Sequence, residues 1–189
     1  MKIGLYFGSF NPIHVGHLII ASYIANNCDI DKVWFVVSPQ NPHKPSHSLL
    51  NEYQRLHLVN IAIDGDVRFK ASNIEFGLPK PSYTIDTLTY LQEKYPSYEF
   101  EIIIGSDSIN NLHKWKNYEL LIKNYSFLVY ERPNFPVNIS NQIKVKVLKA
   151  PLLDISSTQI RNYIKDSKSI SYLVTKAVED DILANGYYK

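Results

Sequence analysis

Residues 3–17 read Ile-Gly-Leu-Tyr-Phe-Gly-Ser-Phe-Asn-Pro-Ile-His-Val-Gly-His, and the fold is decided there. Ile3 to Phe7 is a β-branched and aromatic run that stops at Gly8-Ser9, the profile of a buried strand ending in a tight turn. After a loop from Phe10 to Val15, the stretch Gly16 to Asn26 carries Leu18, Ile19, Ala21, Ser22 and Ala25 at helical spacing, and Asn26-Asn27 supplies a stop. A strand therefore feeds directly into a helix.

The same alternation continues along the chain. Val33 to Val37 is a second continuous apolar run, ended by Ser38-Pro39, and the Pro-rich segment 39–48 after it excludes regular structure. The pattern then predicts a helix over 52–63, a strand over 67–70, a helix over 83–94 and strands over 100–104 and 127–130. An alternating strand is expected over 143–148, and helices over 157–165 and 172–184, the last closed by Asn185-Gly186. Continuous apolar strands separated by helices predict an α/β fold: a Rossmann-like, doubly wound parallel sheet with C-terminal helices, in a single domain over 1–189. Lys144, Lys146 and Lys149, alternating with apolar residues, read as the solvated face of an edge strand.

Composition narrows the function classes. The 20 basic and 18 acidic residues are interleaved to a net charge of +2, too balanced for a dedicated nucleic-acid or membrane-surface binder. Any anion must be recognised locally. Cys28 is the one cysteine, which excludes an intrachain disulfide and suits the cytoplasm. The N-terminal run lacks the apolar core and cleavage site of a secretory signal, and no stretch approaches the ~18 apolar residues of a membrane span.

In a doubly wound sheet, ligands bind outside the carboxyl ends of the strands, so chemistry is expected in the loops that leave them. The first such loop puts the Gly8-Ser9 turn ahead of His14 and His17, at a helix N-terminus. Helix N-termini offer unpaired N–H donors and partial positive charge, Gly16 allows close backbone approach, and imidazoles can donate to phosphate oxygens. The pattern suits a phosphate. A HxxH pair could also be half of a zinc site, with His43 and His47 as the further ligands, but no acidic residue adjoins either pair. A purely structural capping role for the two histidines is the plainer alternative.

The stretch GSFNPIHVGH resembles the HxGH phosphate-binding signature of the nucleotidyltransferase superfamily. The segment Ile155-Ser156-Ser157-Thr158-Gln159-Ile160-Arg161 is similar to that superfamily's second motif, ISSTxIR. Read physically, Ser156 and Ser157 at a helix start can present donors to phosphates, and Arg161, one turn along from Ser157, adds a charged fork. Its plain counterpart is an ordinary N-cap beside a solvated arginine. Further segments narrow the resemblance to bacterial nicotinate-nucleotide adenylyltransferases. PQNPHKP at 39–45 resembles a loop in which His43 and Lys44 would approach nucleotide phosphates. SYTIDTL at 82–88 resembles SYTxDTL, in which Thr84 would help hold nicotinate mononucleotide. GSDS at 105–108 and Leu112-His113-Lys114-Trp115 resemble a GxDS loop and the segment bearing a nicotinate-stacking tryptophan. Lys116 departs from the pattern, since many family members carry tyrosine there.

The resemblance implies transfer of AMP from ATP to nicotinate mononucleotide, giving nicotinate adenine dinucleotide and pyrophosphate in NAD biosynthesis. Two polyanions must meet, so catalysis should rest on positioning and charge neutralisation, without a covalent intermediate. His17 would stabilise the α-phosphate, with His14, Lys44 and Arg161 on the triphosphate. Gly8, Ser9 and Phe10, together with Gly105, Asp107, Arg132, Ile155 and Ser156, complete the expected ATP site. Asn11, Thr84, Trp115 and Lys116 would hold nicotinate mononucleotide, Lys116 by pairing with the pyridine carboxylate. Mg²⁺ is expected to arrive bound to ATP, with no metal ligand from protein side chains. The expected partners are ATP and nicotinate mononucleotide, with no nucleic acid and no membrane; self-association into a homo-oligomer is compatible with the pattern. The competing readings are pantetheine-phosphate adenylyltransferase, a cytidylyltransferase, and a catalytically silent nucleotide sensor.

Overall fold

The computed structural model describes residues 1–40, 49–138, 143–151 and 154–189. Six strands, β1 (Lys2–Gly8), β2 (Lys32–Val37), β3 (Phe69–Ser72), β4 (Glu99–Gly105), β5 (Ser126–Tyr130) and β6 (Val145–Leu148), form one sheet in the order β3-β2-β1-β4-β5-β6. Every pairing is parallel, with Tyr6 of β1 opposite Phe35 of β2 on one side and Ile103 of β4 on the other. The chain leaves β1 for β2 and β3, then returns to the opposite side of β1 at β4. At that reversal the crossovers diverge to opposite faces and leave a crevice beyond the carboxyl ends of β1 and β4.

Two helical layers cover the sheet because the period-2 alternation of a strand sends neighbours to opposite faces. Tyr6, Phe35, Ile103 and Leu128 face α1 (Val15–Asn27), α2 (Glu52–Ala62), α6 (Ser157–Lys165) and α7 (Lys176–Asn185). Leu5, Val36, Ile102 and Phe127 face α3 (Thr84–Lys94), the short α4 (Ser106–Ile109) and α5 (Tyr118–Asn124). The strands read as unbroken apolar runs because both of their faces are buried.

Two boundaries and one strand face differ from the sequence pattern, each for a local reason. β3 starts at Phe69, beyond the expected 67, because the Asp66 carboxylate accepts the Arg68 backbone N–H at 3.0 Å, making a turn that leaves Val67 82% exposed. α7 starts at Lys176, where Thr175 caps it by accepting from the Val178 N–H; Tyr172, with a φ of 66°, cannot belong to it. β6 is an edge strand as expected, but it has no simple solvent face. Its Val147 is 45% exposed, while Lys146 reaches back to the Asn27 carbonyl at the end of α1. α4, α5 and the 3₁₀ turns Ile74–Gly77 and Leu112–Lys114 are shorter than the windows in which helical periodicity is readable.

Leu88 of α3 is fully buried against the second face and touches no part of the crevice. Leu88→Ala should cost about 3 kcal/mol in urea unfolding, with the turnover of the folded fraction unchanged.

Candidate functional site

The crevice at the reversal is a cleft of about 470 Å³, of the size that holds a nucleotide-scale ligand. Its floor is the loop between β1 and α1. Phe10 is left-handed there, with a φ of 45°, a conformation that is costly for a bulky residue. Its buried ring holds it in place, edge-on to Tyr6 at 5.8 Å, Phe35 at 5.6 Å and His17 at 5.0 Å. His14 is the N-cap of α1, and its ring stacks on His17 at 3.7 Å. The Nδ1 of His17 accepts the His14 backbone N–H at 3.2 Å, which puts the imidazole proton on Nε2 and makes that nitrogen a donor. Gly16 differs from expectation in its use. The space a side chain would fill there is taken by the His14 ring, whose Nδ1 would lie 3.0 Å from a Cβ.

The opposite rim is the start of α6. The Ser156 hydroxyl caps it by accepting the Gln159 N–H, and the Ser157 hydroxyl donates to the Pro12 carbonyl at 2.9 Å. Both hydroxyls thus serve the fold, while the amides of Ser157 and Thr158, in the first turn, lack intrahelical acceptors. Arg161 donates to the Asn11 carbonyl at 2.8 Å and to the Thr158 hydroxyl at 3.2 Å. The motif's arginine therefore ties α6 to the first loop, 150 residues away in sequence. Asn11 uses its side-chain oxygen to accept the Leu50 N–H at 3.1 Å.

From β4 and β5 come Gly105, Asp107 and Arg132. Asp107 pairs with the Arg132 Nε at 3.2 Å, and the Ser106 hydroxyl accepts the Arg132 backbone N–H at 2.9 Å. A Cβ at position 105 would lie 2.5 Å from an Asp107 carboxylate oxygen and 3.0 Å from the Arg132 Nε, so a side chain there would displace this ion pair. The far end of the cleft is lined by Thr84, the first residue of α3, and by Trp115 and Lys116. Trp115 is partly buried and stacks on no other ring among the described residues. The Lys116 ammonium pairs with Asp86 at 2.8 and 3.1 Å and lies 4.9 Å from the centre of the Tyr83 ring.

One cleft thus gathers Gly8, Ser9, Phe10, Asn11, His14, His17, Thr84, Gly105, Asp107, Trp115, Lys116, Arg132, Ile155, Ser156 and Arg161. Lys44, His43 and His47 lie outside the described residues. Among the described residues no group of three or more His, Cys, Asp or Glu side chains could hold a metal ion, so His14 and His17 form no zinc site within them.

A family model described as cytidylyltransferase-like matches residues 5–163. A protein of Cytophaga hutchinsonii named "Probable nicotinate-nucleotide adenylyltransferase" is 54% identical over 189 residues, which cover 100% of this chain and 98% of that protein. The chain belongs to the nicotinate-nucleotide adenylyltransferases. A family member from Flavobacterium psychrophilum, of the same printed name, is 52% identical over 193 residues, with 100% of both chains covered. In fold, the chain is similar to a Plasmodium falciparum nicotinic acid mononucleotide adenylyltransferase solved in complex with NaAD. That likeness has a TM-score of 0.86 at 24% identity and covers 99% of this chain and 97% of the other.

One residue in the cleft wall of this adenylyltransferase and one behind the cleft have no counterpart in the sequence reading. Glu75, in the 3₁₀ turn after β3, is buried in the cleft wall. It accepts from the Ser82 hydroxyl at 2.7 Å and the Thr87 hydroxyl at 2.8 Å, bracing the segment that presents Thr84. Burial raises its pKa, against the pull of those hydroxyls. Nothing in so short a turn marks it in sequence. Arg55 is fully buried behind the first loop. It did leave a signal, since it shares the inward stripe of α2 with Leu58, Val59 and Ala62, where an arginine is out of place.

Burial, reinforced by the nearby Arg132 guanidinium, lowers the pKa of His14 to about 4, so at neutral pH its ring is uncharged. The unfolded chain takes up this proton near the ordinary value of ~6.5, and the folded chain resists it until about 4. Stability should therefore fall as pH drops through that window. Between pH 7 and pH 5 the wild type should lose about 2 kcal/mol more than His14→Asn, which keeps a capping side chain but cannot titrate. Urea titrations of both proteins at the two pH values measure the difference.

Proposed function

We propose that this chain transfers an adenylyl group from ATP to nicotinate mononucleotide. An oxygen of the mononucleotide's 5′-phosphate forms a bond to the α-phosphorus of ATP, the bond from that phosphorus to the β-bridging oxygen breaks, and pyrophosphate leaves. The products are nicotinate adenine dinucleotide, the precursor of NAD, and pyrophosphate. The single observation carrying this reading is the stacked His14–His17 pair in the cleft lining, with His17 fixed in tautomer, beside the α6 start that Arg161 ties to the same loop.

The cleft is built for two anions. His17 Nε2 donates to the α-phosphate and strengthens that bond as charge develops in the transition state. His14, being neutral, can donate without placing a full charge beside His17. The amides of Ser9, Phe10, Ser157 and Thr158 and the Arg161 guanidinium hold the remaining phosphate oxygens. Arg132 and Asp107 face the adenosine half. Thr84 and Trp115 take the mononucleotide, with the pyridine ring on the indole face.

The lining favours donors: its two best-placed carboxylates are occupied, Asp107 by Arg132 and Glu75 by hydroxyls. This donor set fits Mg²⁺ carried in on the triphosphate oxygens, where the ion supplies charge neutralisation. Among the described residues no helix is long and apolar enough to cross a membrane. A cytoplasmic setting suits the lone, unpaired Cys28.

Lys116 can exchange Asp86 for the carboxylate of nicotinate, an exchange that the uncharged carboxamide of the nicotinamide nucleotide does not reward. Both partners of the Lys116–Asp86 pair are 43% exposed, so the pair itself is weak and easily traded.

Two measurements test this. Pyrophosphate release with Mg²⁺ and ATP should be seen with nicotinate mononucleotide and not with phosphopantetheine. His17→Ala should lower kcat by about 100-fold or more, the scale of losing one aimed donor; release with phosphopantetheine alone, or with no acceptor, rejects the reading. Lys116→Met should lower kcat/KM for the nicotinate nucleotide about tenfold, as expected for one charge-assisted hydrogen bond, and leave the nicotinamide nucleotide unaffected.

A further inference from the structure

We infer that Arg55, which lies behind the cleft and outside its lining, is a positioning residue of the transfer reaction: it turns the Ser9–Phe10 peptide so that the Phe10 N–H faces the substrate phosphates. The inference rests on the adenylyl-transfer reading above and adds to it a residue that touches no substrate.

Arg55 is fully buried, and its guanidinium donates to four backbone carbonyls. Nε reaches Leu50 at 2.8 Å, Nη1 reaches Ser9 at 2.6 Å and Ser38 at 2.8 Å, and Nη2 reaches Pro39 at 3.0 Å. Three chain segments meet on this one side chain: the loop after β1, the loop after β2 and the approach to α2. The first two are also tied directly, the Ser38 N–H donating to the Gly8 carbonyl at 2.9 Å.

The geometry of the peptide unit does the rest. The Ser9–Phe10 bond is trans, so its C=O and N–H point in opposite directions. With the Ser9 oxygen drawn back to Arg55, the Phe10 N–H must point forward, where Ser9 and Phe10 line the cleft. Among the described residues that N–H has no acceptor. The left-handed φ of Phe10 is the backbone cost of this orientation, and the buried guanidinium and the buried phenyl ring maintain it from either side.

Charge supports the same role. Among the described residues no carboxylate forms an ion pair with Arg55; its hydrogen bonds go to carbonyl oxygens, and the Glu52 carboxylate acts on it only through space. A cation compensated in this way still attracts anions on the far side of the loop. A lysine would keep the charge but replace the planar fork by a single point of donation, unable to span four carbonyls set around it.

The test compares Arg55→Lys and Arg55→Met with wild type, each quantified as folded protein by near-UV circular dichroism. With nicotinate mononucleotide and Mg-ATP, kcat should fall at least tenfold and KM for ATP should rise in both variants. KM for the mononucleotide should change less than twofold, because Thr84 and Trp115 sit on other elements. A residue that only stabilised the fold would lower the unfolding midpoint and leave both constants of the folded fraction unchanged, and that result would overturn the inference. If neither variant folds, the wild type decides: in ¹⁵N–¹H spectra the Phe10 amide should shift on adding Mg²⁺ with α,β-methylene ATP, and an unmoved Phe10 amide overturns the inference. Absence of turnover in the wild type would instead count against the adenylyl-transfer reading, and the amide shift is read independently of turnover.

Discussion

The shape of the cleft depends on four carbonyl oxygens, Gly8, Ser9, Asn11 and Pro12, each engaged by a donor from elsewhere in the chain. The Gly8 carbonyl accepts from the Ser38 N–H, Ser9 from Arg55, Asn11 from Arg161 and Pro12 from the Ser157 hydroxyl. A loop that must present N–H groups to a polyanion carries as many carbonyls as amides, and unrestrained carbonyls would turn toward the same space and repel the ligand. The groups that secure them come from the loop after β2, from α2 and, twice, from α6. The loop after β1 is thus defined by long-range contacts, although its own residues are contiguous.

This explains why a fold with a central strand order reversal suits the chemistry. Donors that face one loop from several sides must come from elements on both flanks of β1, and the parallel order places β2 on one side of it and β4 on the other. α2, which follows the loop after β2, supplies Arg55 from behind. α6, late in the chain, supplies Ser157 and Arg161 from the front. The first and last parts of the sequence are thereby coupled, so loss of α6 packing would disturb the histidine pair as well as the helix itself.

Much of this was legible in sequence because it rests on local periodicity and local chemistry. The run Ile3–Phe7, the turn at Gly8-Ser9 and the helix carrying His17 could be read from spacing alone, and the strands that follow repeat the signal. The residues gathered in the cleft came mostly from resemblance: nothing local distinguishes Thr84 from another helix-start threonine, or Trp115 from a core tryptophan. Strand order was not legible, since no residue on β4 states that it pairs with β1. Glu75 was hidden in a 3₁₀ turn too short to have a face. Arg55 was visible as an anomaly, a charge on the inward stripe of α2, but its meaning depends on four carbonyls that only the tertiary structure brings together.

The two motif halves also differ from a purely substrate-facing reading. Ser156 caps its own helix, Ser157 fastens the first loop, and Gly16 accommodates His14. The two serine hydroxyls and the room left at Gly16 organise the cleft, which leaves backbone N–H groups as the donors available for phosphates. Backbone donors suit adenylyl transfer well: they are fixed in number, cannot titrate, and lose little conformational freedom when a ligand binds. The histidine pair follows the same logic. Burial keeps His14 neutral and a backbone N–H sets the tautomer of His17, so the imidazole donor is in place before the substrates arrive.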